Sequence, residues 1–211
     1  VFTVNPGSGV VAAPVREVSP QPFGSKFRGG VTVAAADVGT FLNGVYQSDS
    51  PDGIAEVIVG SGPGVPATVN TYSAVPSPPA LVNTVRAISP TFQNGVSVAV
   101  LPSAPGVADR YTVSAGASGG SRVETYSGVS KSPAAAFAAF AEAGGQRGDV
   151  WTAALDDTRI YSVQGQFGKV AGIRRNTAIS GGVSSTLSGS TNLVPPLRIS
   201  VLRVANPRSS A

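Results

Sequence analysis

Three stretches of this chain line up without a gap: Phe27-Arg-Gly-Gly-Val-Thr-Val-Ala-Ala-Ala-Asp37, Phe92-Gln-Asn-Gly-Val-Ser-Val-Ala-Val-Leu-Pro102 and Gln146-Arg-Gly-Asp-Val-Trp-Thr-Ala-Ala-Leu-Asp156. Each is a glycine turn followed by a short apolar run of small and β-branched residues. Runs so short and so sharply bounded read as buried strands, since a helix needs more length and a 3.6-residue period. Recurrence constrains the fold more than any single block. A chain copied in register, here every ~53 to 65 residues, folds as copies of one supersecondary unit that bury their apolar faces against each other.

Further blocks recur in the same order. Val57-Ile-Val-Gly-Ser-Gly-Pro-Gly64 matches Val113-Ser-Ala-Gly-Ala-Ser-Gly-Gly120, and Val69-Asn-Thr-Tyr72 matches Val123-Glu-Thr-Tyr126. Val85-Arg-Ala-Ile-Ser-Pro90 matches Val15-Arg-Glu-Val-Ser-Pro20. One unit therefore reads strand, turn, strand, Gly-rich hairpin, strand, Pro-rich turn, strand, which is the content of a propeller blade. The 26 Gly and 17 Pro agree, favouring many turns over long helices. The expected fold is all-β, a propeller-like array of about four four-stranded antiparallel sheets; a β-sandwich is the competing arrangement. The Ala-rich stretch from Pro133 to Gly144 has helical propensity, but its register sets it opposite residues 81–89 as an outer strand. Residues 1–180 form the repeats. Residues 181–211 form a Gly/Ser/Pro-rich arm ending in the strand candidate Leu197-Arg-Ile-Ser-Val-Leu-Arg-Val204.

The run Phe27-Arg-Gly-Gly-Val-Thr-Val-Ala-Ala-Ala-Asp37, then Asp52-Gly-Ile-Ala-Glu-Val-Ile-Val-Gly-Ser-Gly-Pro-Gly64, then Val69-Asn-Thr-Tyr72, resembles the FG-GAP (VCBS-like) repeats of bacterial secreted proteins and of integrin α-chain propellers. That resemblance implies a calcium loop between the first two strands of a repeat. Its ligand positions fall on Asp37, Asp52 and Glu56, with Asn43 and Asp49 as substitutes supplied by an insertion at 39–50. A metal-free turn derived from such a loop is the other reading of these residues. The second repeat has Pro102 at the first ligand position, and the third has Asp156-Asp157 without the following Asp-Gly.

Reactive side chains are scarce. With no Cys and no His, thiol nucleophiles, disulfides, thiolate metal sites and imidazole bases are excluded. Lys26, Lys131 and Lys169 show no spacing to a serine that suggests catalysis. Asp156 and Asp157, if both on a strand, would point to opposite faces. Gly60-Ser-Gly-Pro-Gly64 lacks the Lys-Ser/Thr of a phosphate loop and reads as a hairpin turn. Arg147-Gly-Asp149 spells an integrin-binding tripeptide, yet it falls at a strand entrance, where a Gly turn explains it. These features point to a non-enzymatic module.

Charged residues make up only 12% of the chain, and they are unevenly placed. Residues 1–157 hold eight basic and eleven acidic side chains; residues 158–211 hold seven basic and none acidic. Arg198, Arg203 and Arg208 are the candidate partner-binding residues, suited to an acidic protein surface. Nucleic acid is not expected, because only Tyr161 and Phe167 offer stacking platforms in the basic third. No run is long enough for a membrane helix. Low charge, the absence of Met and a first residue of Val suggest a processed chain, secreted or in the cell envelope with its signal peptide removed. The expected role is a structural or interaction module working through protein partners or self-assembly, with calcium-dependent adhesion or carbohydrate binding as the alternative.

Overall fold

The computed structural model describes residues 21–75, 79–140, 149–154, 156, 158–166, 169–177 and 183–187. Among the described residues every regular element is a strand. β1 (Val31–Ala36) is followed by a small hairpin of β2 (Thr40–Leu42) and β3 (Val45–Ser48), then by β4 (Glu56–Ser61), β5 (Thr68–Ser73) and β6 (Ala80–Arg86). β1, β4, β5 and β6 pair in that order as an antiparallel meander. A second meander runs β7 (Val96–Leu101), β8 (Arg110–Ala115), β9 (Arg122–Ser127) and β10 (Ala135–Ala138). A third runs β11 (Asp149–Ala154), β12 (Arg159–Gln166), β13 (Lys169–Thr177) and β14 (Val183–Leu187).

The three blocks that open the repeats are β1, β7 and β11, the first strand of each sheet. β7 packs on β1 and β4, and β11 packs on β7 and β8. The second and third sheets thus each lean on the two leading strands of the sheet before, so that among the described residues three four-stranded sheets follow one another in a propeller-like succession. The Ala-rich stretch supplies β10, the outer strand of the second sheet, as β6 is of the first. Helix propensity there loses to the ladder offered by β9, with Ala135 opposite Thr125 and Ala138 opposite Arg122.

Two sequence expectations are corrected. Val59 lies opposite Val33, and Val113 lies opposite Val98, so the equivalent of Val113 is Val59 rather than Val57. The Gly-rich blocks were thus matched two residues out of step. The strand period is two, so that shift leaves every side chain on its expected face. The array also passes the boundary at residue 180, because β14 pairs with β13 from Ile173–Leu187 to Asn176–Val183.

Glycines set the joints. The Gly62 amide donates to the Gly30 carbonyl and the Gly116 amide to the Gly95 carbonyl, both at 2.9 Å, linking each second strand's exit to the turn before the first strand. A Cβ on Gly62 would lie 1.9 Å from the Gly29 carbonyl oxygen, and one on Gly116 would lie 2.3 Å from that of Asn94. No side chain fits at either joint. Gly60-Ser-Gly-Pro-Gly64 is accordingly the end of β4 and the turn after it.

The core lies between sheets. Ile58, Val69, Val85, Val96, Val98, Tyr111, Val113 and Tyr126 are buried between the first and second. Tyr111 and Tyr126, a cross-strand pair, stack at 5.4 Å. Between the second and third, Leu101, Ala154 and Ile160 form one cluster and Val123, Phe140 and Val150 another. The Thr112 and Thr152 hydroxyls meet at 2.9 Å, and the Ser114 hydroxyl donates to the Val150 carbonyl. Val96 and Val98 are 4% and 7% exposed, whereas their equivalents Val31 and Val33 on β1 are 48% and 59% exposed.

Candidate functional site

The structure brings Asp37, Asp52 and Glu56 to one place, the crossing from β1 to β4. Asp37 follows the end of β1. Its Oδ2 accepts the Gly53 amide at 2.7 Å and its Oδ1 accepts the Asp52 amide at 3.4 Å. Asp52 folds on its own turn: Oδ1 accepts the Ile54 amide at 2.8 Å and Oδ2 the Phe41 amide at 3.3 Å. Glu56 opens β4 opposite Ala36 and is 1% exposed. Its Oε2 accepts the Val38 amide at 3.1 Å, and its Oε1 is buried with no hydrogen-bond partner. Burial pushes the Glu56 carboxyl up to about 7, the negative charges of Asp52 and Asp37 push the same way, and the Val38 amide opposes them.

The two substitutes stand elsewhere. Asn43 and Gly44, with φ of 52° and 77°, form the two-residue turn of the β2–β3 hairpin, a pairing suited to a type I′ turn. Asp49 accepts the Tyr46 hydroxyl, and burial together with that bond raises the phenol pKa to about 12. The insertion is therefore a hairpin seated on the first sheet through Phe41 and Tyr46, whose rings meet edge to face at 5.6 Å.

Calcium takes six to eight oxygens. Five of the six carboxylate oxygens at this crossing already accept backbone amides, and among the described residues no three acids are assembled to ligate one ion. As described, these carboxylates close the turn between β1 and β4. Aspartates do comparable work in the other two sheets. Asp109 accepts the Ser103 amide. Asp156 accepts the Thr158 and Arg159 amides and pairs with the Arg159 guanidinium, which holds its carboxyl well below the usual range. Asp156 thus belongs to the turn between β11 and β12 rather than to a strand.

Asp149 is the first residue of β11, opposite Gly165, and burial raises its carboxyl pKa. Arg147 and Gly148 lie outside the described residues, as do Arg198, Arg203 and Arg208. Lys131 donates to the Thr84 carbonyl, tying the second sheet to the first.

Two features escaped the sequence reading. Glu124 is buried at the position equivalent to Asn70. It accepts the Ile88 amide at 2.9 Å, the Tyr126 hydroxyl at 2.7 Å and the Arg122 guanidinium at 2.8 Å. The other is a grouping of exposed apolar side chains at one end of the array. The Asp109 amide donates to the Asp37 carbonyl at 2.7 Å, so the loops after β1 and β7 share that end. Leu42, Val45 and Ile54 in the first loop, Val107 in the second and Val75 after β5 are all exposed there. The signal in the sequence was Leu42-Asn-Gly-Val45, a hairpin dipeptide flanked by apolar residues.

The fold defines a class, the all-β arrays in which each sequence repeat is one four-stranded sheet. Comparison gives this chain no named relative: no family model, no curated protein and no solved structure matches it.

Proposed function

We propose that this chain is a non-enzymatic interaction module, extracellular or in the cell envelope, that works as a subunit of a protein assembly. Kinship with FG-GAP repeats is part of the proposal and rests on the residues quoted for it. The observation that carries the reading is the apolar loop end. Leu42 and Val45 stand 62% and 61% exposed on either side of a tight turn, with Ile54, Val75 and Val107 on the same end. Exposed apolar side chains that share one end of a fold suit contact with a partner. Arg198, Arg203 and Arg208 add positive charge suited to an acidic partner surface. The alternative of calcium-dependent adhesion would need an ion at Asp37, Asp52 and Glu56, and calorimetry with calcium tests it.

The assembly reading is tested with Leu42→Asp/Val45→Asp. Both positions are exposed, so the variant keeps the fold and thermal midpoint of the parent. Light scattering of the parent is expected to show a species heavier than one chain, and the double variant is expected to run as a single chain. A parent that is monomeric at every concentration, or a variant that assembles like the parent, removes the self-assembly reading.

A further inference from the structure

We infer that the apolar loop end docks on the opposite, basic end of a second copy of this chain, so that copies stack head to tail. The stacking rests on the assembly reading and supplies the partner surface for it.

The two ends are fixed by how the first two sheets join. At the loop end the Asp109 amide meets the Asp37 carbonyl. At the other end Pro63 bridges Asn94, and the Ala67 amide donates to the Phe92 carbonyl at 2.7 Å. The turns at 62–67, 87–95 and 116–121 therefore share that second end with the segment that enters β1. Charge divides between the ends. Among the described residues of these two sheets, Asp37, Asp49, Asp52 and Asp109 lie at the loop end. Against them stand Arg110, half-buried at the start of β8, and Lys131, which donates to the Thr84 carbonyl. The opposite end carries Lys26, Arg28, Arg86 and Arg122, all exposed. Glu124, the acid of the described residues there, is buried and paired with Arg122.

Sign decides which ends meet. Two loop ends brought together set aspartates against aspartates, and two basic ends set arginines against arginines. Like charges across a contact cost free energy, whereas opposite ones steer and orient it. A loop end against a basic end pairs opposite signs. The apolar side chains agree with that pairing. Leu42, Val45, Ile54 and Val107 at the loop end need an apolar receiver. Pro63 and Pro90, exposed, and Phe27 and Val65, half-buried, stand among the basic side chains of the other end. Contact between unlike surfaces leaves each pair of copies with a free end of each kind, so the stack grows chain by chain rather than stopping at two.

Two variants, each with one end disabled, test this. One carries Leu42→Asp/Val45→Asp and keeps its basic end; the other carries Lys26→Glu/Arg28→Glu and keeps its loop end. All four positions are exposed, and Arg28 donates to the Ser25 and Phe27 carbonyls of its own turn. Both variants should therefore keep the parent's thermal midpoint; Lys26→Gln/Arg28→Gln replaces the charge reversal if its midpoint falls. By light scattering the parent is expected to gain mass with concentration beyond two chains, and each variant alone to run as a single chain. Mixed in equal amounts, the variants are expected to form a species of two chains and nothing heavier, because one working end of each kind remains. Raising salt from about 50 to about 500 mM is expected to weaken the parent stack by about tenfold. A basic-end variant that assembles like the parent, or a parent that stops at two chains, overturns the stacking and leaves the assembly reading standing. A mixture that stays at the mass of one chain, or a stack indifferent to salt, overturns it as well. A parent of one-chain mass at every concentration removes both.

Discussion

Glu56 enters β4 with one carboxylate oxygen bonded to the Val38 amide and the other buried beside two further acids. A neutral carboxyl suits that place better than an ionised one, which gives the chain a pH dependence of definite sign. In the unfolded chain this group titrates near 4.5; in the folded chain it titrates near 7. Between those values the folded state holds a proton that the unfolded state releases, so stability falls as pH rises. The contribution is complete below 4.5 and gone above 7, and is on the order of 3 kcal/mol. Glu56→Gln keeps an acceptor for Val38 and cannot ionise. It is expected to match the parent in urea at pH 5 and exceed it at pH 8, with its midpoint nearly level between. Parallel midpoints for the two proteins across that range would show that Glu56 is ionised throughout. The sequence marked Asp37, Asp52 and Glu56 together as calcium ligand positions; in the fold Asp37 binds the amides of Asp52 and Gly53, and Glu56 binds that of Val38. That their oxygens face backbone amides was not legible, because the hairpin that brings Phe41 and the Asp52 turn together is an insertion without a counterpart in the other repeats.

At the scale of elements, the joins between sheets carry the specificity. Ile88 sits just past β6 with φ of 67°, a left-handed conformation that costs a β-branched residue about 1–2 kcal/mol. Its amide is held by Glu124 of the next sheet, whose same oxygen also takes the Tyr126 hydroxyl. Burial of Tyr126 beside that carboxylate raises the phenol pKa far above neutrality, so the hydroxyl remains a donor. Glu124→Ala leaves Ile88 and Tyr126 without an acceptor inside the protein and should cost about 2–4 kcal/mol. Glu124→Gln, which keeps an acceptor, should cost about half that. Urea unfolding of the pair measures the difference. Losses under 1 kcal/mol for the alanine variant would mean that the strained turn is held by packing alone. Recurrence of Val-x-Thr-Tyr in β5 and β9 was readable and correctly paired Tyr72 with Tyr126. The variable position within it, Asn70 in one copy and Glu124 in the other, is buried in both, and over Glu124 lies the turn that leaves the preceding sheet. Period and turn chemistry reveal the strands; they do not reveal which polar residue a neighbouring sheet will cover.

For the molecule as a whole, the order of sheets predicts the order of opening. In arrays of this kind each unit meets only its neighbours, so stability is shared between the sheets and the interfaces that join them. The second sheet is packed on both faces, by β1 and β4 on one side and by β11 on the other. Its β8 strand is buried from Tyr111 to Ala115. β2 and β3 pair only with each other, and β6 and β10 are the outer strands of their sheets. Amide exchange read by mass spectrometry should therefore be slowest in peptides covering β8 and β9, through opening of the whole array, and fastest in the β2–β3 hairpin. If β8 exchanges no more slowly than β2 and β3, the sheets open independently. The packing of Val96 and Val98 on the first sheet would then contribute little to holding the array together, contrary to the burial that distinguishes them from Val31 and Val33.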